Sequence, residues 1–96
     1  MLVEIESWLA GLVPRFLANR ARDIVRLEEA LAAGDVATLK SIGHMVRGSA
    51  AGYGFLDLAD AGARLEAIAE TAPPDQLRRV IEVIADHVRG VEVVYR

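Results

Sequence analysis

The stretch Gly34–Phe55, "GDVATLKSIGHMVRGSAAGYGF", sets both ends of one helix and carries most of the chemistry the chain has to offer. Gly34 suits the end of a preceding helix, and Asp35 can cap the next by accepting an orphan backbone N–H. "GYGF" at 52–55 breaks the helix at its far end. Within it, Leu39, Ile42, Val46 and Ala50 recur at helical spacing and form an apolar stripe. Gly48 lies off that stripe. A glycine in a helix interior costs roughly 1 kcal/mol relative to alanine, so its presence on the exposed side asks for a reason.

Working outward, "TAPPD" at 71–75 supplies another break, with Pro74 suited to a first helical turn. Four helical segments are predicted, at Pro14–Ala33, Val36–Tyr53, Leu56–Glu70 and Pro74–Val94. A short amphipathic helical piece around Val3–Ala10 precedes them. The closing "VEVVYR" is ambiguous between a frayed helix end and an extended tail. The other stripes are Phe16, Leu17, Ile24, Leu27 and Leu31; Leu58, Gly62, Leu65 and Ala69; and Leu77, Ile81, Ile84 and Val88. Gly62, inside its stripe, implies close helix-helix packing. Four stripes joined by short loops predict an all-α fold, an antiparallel up-down four-helix bundle with a short N-terminal helix.

Composition narrows the function. Residues 1–96 make a single domain with one compact core. With 53% hydrophobic residues and no cysteine, it can fold without disulfides or a thiolate-bound metal. No apolar run approaches the roughly 20 residues that span a bilayer, and Glu4 and Glu6 sit where a signal peptide wants positive charge. A soluble, cytoplasmic protein is expected, without a membrane partner. The net charge of -3 argues against nucleic acid as the main partner. No internal repeat or low-complexity segment is present.

Helical geometry places His44 roughly 140° from the centre of its helix's stripe, facing water. Around it on the exposed face lie Ala37, Ser41, Gly48 and Ala51, all small, with Lys40 and Arg47 at the flank. A solvated face normally carries long charged side chains, so this one reads as a landing surface. With no side chain at Gly48, one turn beyond, a macromolecule can approach the imidazole. An open imidazole is largely neutral at pH 7, the nucleophilic form, and its nitrogen could attack a phosphoryl donor. Arg47 and Lys40 could stabilise the charge so placed. Along the helix itself, no second histidine or carboxylate stands at i±3 or i±4 from His44, so neither a metal pair nor an acid-base dyad is written there.

The segment from Leu12 to Ala69 resembles the histidine-containing phosphotransfer (HPt) domain family, whose core pattern is H-x-x-K-G on the second bundle helix. Here it stands as His44, Met45, Val46, Arg47, Gly48, and the likeness extends to "RARD", "EALAAGD", "GYGF" and "ARLE". Arg47 replaces the usual lysine, keeping the charge on a bulkier planar group. The resemblance implies a phosphocarrier in a phosphorelay. His44 would accept a phosphoryl group from the aspartyl phosphate of one receiver domain and pass it to the aspartate of another. Arg47 and Lys40 would stabilise it, while Gly48, Ser41, Ala37 and Ala51 would admit the partner's rim. It also implies no nucleotide binding, no kinase activity and no cofactor of the chain's own, the Mg²⁺ belonging to the receiver. Partners would be receiver domains of response regulators, a hybrid histidine kinase, or both, and a monomer is expected.

Other residues take structural readings. His87 lies at the edge of the last stripe. Arg20, inside the first stripe, is expected to pair with Asp23 or a carboxylate such as Glu66, or else to add to the basic surround of His44. Arg15, Arg22 and Arg26 share a more solvated face, either a solubilising surface or, if they flank His44, a patch that draws a receiver's acidic pocket. Trp8 and Tyr53 are expected to cover bundle ends. Two competing functions stand beside phosphotransfer: a helical interaction or dimerisation bundle with an inert His44, and a small helical enzyme with arginines lining an interior pocket. Whether Met1 begins a free-standing protein or a piece of a longer kinase is open.

Overall fold

A computed structural model describes residues 2–96. Four helices form where turn chemistry predicts them: α1 (Val13–Ala33), α2 (Val36–Tyr53), α3 (Leu56–Ile68) and α4 (Pro74–Gly90). Pro14 stands in the first turn of α1, where its missing N–H costs nothing. Gly34 and Gly54 end α1 and α2 in the left-handed conformation, at φ 66° and 90°. At both ends the following residue's N–H reaches back to close the helix, Asp35 to the carbonyl of Ala30 at 2.8 Å and Phe55 to that of Ala50 at 2.9 Å. The Asp35 side chain accepts from the Thr38 backbone N–H at 3.1 Å, and the Thr38 hydroxyl donates to its other oxygen at 2.6 Å. These bonds hold the Asp35 carboxyl below its ordinary range.

The stripes meet in one core. Ile24, Leu27, Leu39, Ile42, Val46, Leu65 and Ile84 are among the most completely buried side chains. Each such residue contributes about 1.5–3 kcal/mol on leaving water. α1 packs against α2 and α4, and α3 packs against the same two helices, so the four form a closed ring. Phe16 stacks on both Tyr53 and Phe55, with ring centroids 4.5 and 5.1 Å away, which ties α1 to the end of α2.

The N-terminal segment departs from expectation, and the closing segment takes the extended of its two readings. The segment expected as a helix over Val3–Ala10 is instead a strand, β1 (Leu2–Ile5), followed by a single 3₁₀ turn at Ser7–Leu9. α4 stops at Gly90 rather than Val94, and Glu92–Tyr95 form a second strand, β2, parallel to β1 with Val3 beside Val93 and Ile5 beside Tyr95. Val91, Val93 and Val94 favour extended backbone once the helix has ended. Each strand also supplies the other's hydrogen bonds, a pairing across the whole chain that local periodicity does not report. Trp8 does not cover the bundle end. It is 75% exposed, with its indole N–H donating to Glu6.

Candidate functional site on the exposed face of α2

The backbones of α2 and α3 nearly touch at two glycines. A Cβ on Gly43 would lie 2.9 Å from both the Gly62 carbonyl oxygen and the Glu66 backbone nitrogen, and one on Gly62 would lie 2.8 Å from the backbone nitrogen of Arg47. Close packing at Gly62 is therefore as expected, and Gly43 is its partner. The contact has a chemical consequence. Glu66 follows Gly62 by one turn, and His44 follows Gly43 directly, so the crossing brings a carboxylate from α3 to the imidazole.

His44 is exposed, its side chain 62% accessible, and its Nδ1 lies 2.8 Å from Glu66 Oε2. Glu66 is more enclosed, at 22%. Its other oxygen, Oε1, pairs with the Arg47 guanidinium at 3.2 Å, and a second guanidinium nitrogen stands 3.4 Å from His44 Nδ1. An ionised carboxylate can only accept, so the short contact assigns the Nδ1 proton to the imidazole. The longer approach of Arg47 is then a flanking charge. Lys40 reaches across to the turn that follows α3, with Nζ 2.7 Å from Glu70 Oε1. Glu70 raises the Lys40 pKa and Lys40 lowers that of Glu70.

Ala37, Ser41, Gly48 and Ala51 are all exposed on the same helix. A Cβ built on Gly48 meets nothing within 4 Å, so this glycine is not required by packing, unlike Gly43 and Gly62. The face is convex. A groove of about 460 Å³ between α3 and α4, lined by Asp57, Asp60, Arg64, Arg79, Val83 and His87, includes none of the residues around His44. Among the described residues, no three His, Cys, Asp or Glu side chains gather as a metal site would.

Arg20 is buried, yet its partners are Asp23, at 2.9 Å, and the Ser49 hydroxyl; Glu66 is engaged elsewhere. The guanidinium also lies 5.3 Å from the centre of the Phe16 ring. Arg20 therefore braces α1 against α2.

Sequence reasoning placed His44, Arg47, Lys40 and the small residues on one face but missed Glu66 and Glu70. Helical spacing along α2 does not report a carboxylate carried on α3. The available signal was Gly62, since a glycine inside an apolar stripe marks where helices come closest, and residues one turn away are those that can reach across.

The family model described as the Hpt domain matches residues 11–92, nearly the whole chain. No curated protein and no solved structure matches.

Proposed function

The chain belongs to the Hpt domain family, which implies a phosphotransfer role in a phosphorelay, and we propose that His44 is the residue that carries the phosphoryl group. The observation behind this reading is the 2.8 Å contact of His44 Nδ1 with Glu66 on an otherwise open imidazole. With the proton held on Nδ1, the lone pair sits on Nε2, the nitrogen directed away from the carboxylate.

When a receiver domain docks on this face, Nε2 attacks the phosphorus of its aspartyl phosphate in line. The N–P bond forms as the acyl P–O bond breaks, and the electron pair leaves with the aspartate carboxylate. No proton has to move. The ring becomes cationic, and Glu66, already accepting from Nδ1–H, meets that charge. A second receiver's aspartate then attacks phosphorus, and the ring returns to neutrality. Arg47, half exposed beside the imidazole, is positioned to pair with phosphoryl oxygens, and Lys40 adds a second cation at the rim. Gly48, Ser41, Ala37 and Ala51 leave room for the partner's loops.

On this reading the protein is a phosphocarrier with no kinase activity or resident cofactor, and the receiver supplies the Mg²⁺. Its partners are response-regulator receivers, a hybrid kinase, or both, met in the cytoplasm. Short connections and the packing ring fit four helices running alternately up and down. No helix among the described residues is long and apolar enough to cross a membrane. Incubation with a receiver carrying labelled phosphate tests the proposal: wild type takes up label and His44→Gln takes up none. Equal labelling of the two would leave the inert-bundle reading in its place.

A further inference from the structure

The parallel pair of strands leaves one edge of each strand unpaired. Arg96 donates its N–H to the Ile5 carbonyl at 3.0 Å and accepts from the Ser7 N–H at 2.8 Å, so both its backbone groups point at β1. Because successive residues of a strand direct these groups to opposite edges, Val94 and Glu92 also face β1, while Val93 and Tyr95 direct theirs outward. An outward row of this kind is a template for another strand.

The two free edges differ in charge. The β1 edge runs Leu2, Val3, Glu4, Ile5, Glu6, and pairing it antiparallel with itself about Glu4 sets two carboxylates opposite each other. The β2 edge runs Glu92, Val93, Val94, Tyr95, Arg96. Antiparallel self-pairing about Val94 sets Glu92 opposite Arg96 of the second copy, twice over. It places Val93 opposite Tyr95, a β-branched and aromatic pair, and Val94 opposite itself. In this register Val93 and Tyr95 also form the hydrogen-bonded pairs, as their outward backbone groups require. Val94 and Tyr95 are both exposed in the single chain, at 44% and 42%. Arg96, whose guanidinium lies 3.4 Å from Glu4 Oε2, would then sit between two carboxylates.

We propose that β2 is a self-association edge, joining two copies of the chain through antiparallel β2–β2 pairing into a four-stranded sheet. Five residues on each side make a small contact, well below the ~1,200 Å² that stable interfaces bury, so the dimer is weak and forms at high protein concentration. The site on α2 takes no part in the argument, which stands or falls independently of phosphotransfer.

Sedimentation velocity on the full chain across a wide concentration range tests it. Wild type is expected to pass from monomer toward dimer as concentration rises. Tyr95→Pro removes an outward N–H without touching a β1–β2 hydrogen bond, and it should stay monomeric with an unchanged helical spectrum. Glu92→Arg should weaken the dimer, because like charges then face each other. Amide exchange on wild type gives a reading that no variant can confound: Val93 and Tyr95 N–H groups should gain protection with concentration, while Val94 and Arg96 are protected throughout. A wild type that stays monomeric at every concentration, or Val93 and Tyr95 amides indifferent to concentration, would overturn the proposal.

Discussion

On the proposed reading, Glu66 and Arg47 divide the work around His44 in a way that substitutions can separate. Glu66→Gln keeps an oxygen that can accept from Nδ1–H but removes the charge that meets the cationic ring. A charged hydrogen bond exceeds a neutral one by about 1 kcal/mol, so transfer to His44 should slow roughly fivefold, with Glu66→Ala slower still. Single-turnover transfer from a phosphorylated receiver measures this, and rates equal to wild type would reduce Glu66 to a surface charge. For Arg47, an exposed contact in water is worth about 1 kcal/mol, whereas one enclosed by a docked receiver is worth about 2–3 kcal/mol. Arg47→Ala should therefore slow transfer by roughly 30- to 150-fold while changing spontaneous hydrolysis of the phosphorylated protein less than tenfold. Arg47→Lys should retain most activity. Both rates, taken at low and high salt, decide the point.

Three glycines in the α2–α3 pair make opposite predictions according to what their missing side chains would meet. Gly48 faces open space, so Gly48→Ala should raise stability by up to about 1 kcal/mol through helix propensity alone. Gly48→Glu should keep that stability yet slow transfer strongly, because on the proposed reading the new side chain stands where a receiver would sit. Gly43→Ala and Gly62→Ala push a methyl into the facing backbone and should each cost about 1–3 kcal/mol. Urea denaturation of the four variants separates the two classes, and equal effects at Gly43 and Gly48 would contradict the packing account. The Asp35 cap carries a pH signature. Its carboxyl is held below the ordinary range in the folded chain, so its contribution is present above the unfolded pKa and fades as pH falls through the folded one. The Tm difference between wild type and Asp35→Ala should be largest near neutrality and should close in acid. The helices were legible in the sequence for related reasons: Gly34, Asp35, Gly54 and Pro74 are local signals, and each acts within one turn of its own position.

What the whole molecule adds is pairing at a distance. The β1–β2 pair joins residues about 90 positions apart, and neither strand's pattern names the other, so the first segment reads as a helix until its partner is seen. The carboxylate on His44 escaped notice for the same reason, since it arrives across a helix crossing. His44 itself, its small-residue surround and Arg47 were legible because they lie on one face of one helix. The central claim is that this face exists to carry a phosphoryl group on one defined nitrogen. Heteronuclear NMR of the uniformly ¹⁵N-labelled protein, phosphorylated by a receiver, tests it most directly by correlating ring nitrogens, ring protons and phosphorus. The account predicts phosphorus coupled to Nε2 of His44, with Nδ1 still protonated toward Glu66. Phosphorus on Nδ1, on His87 or on no histidine would contradict it.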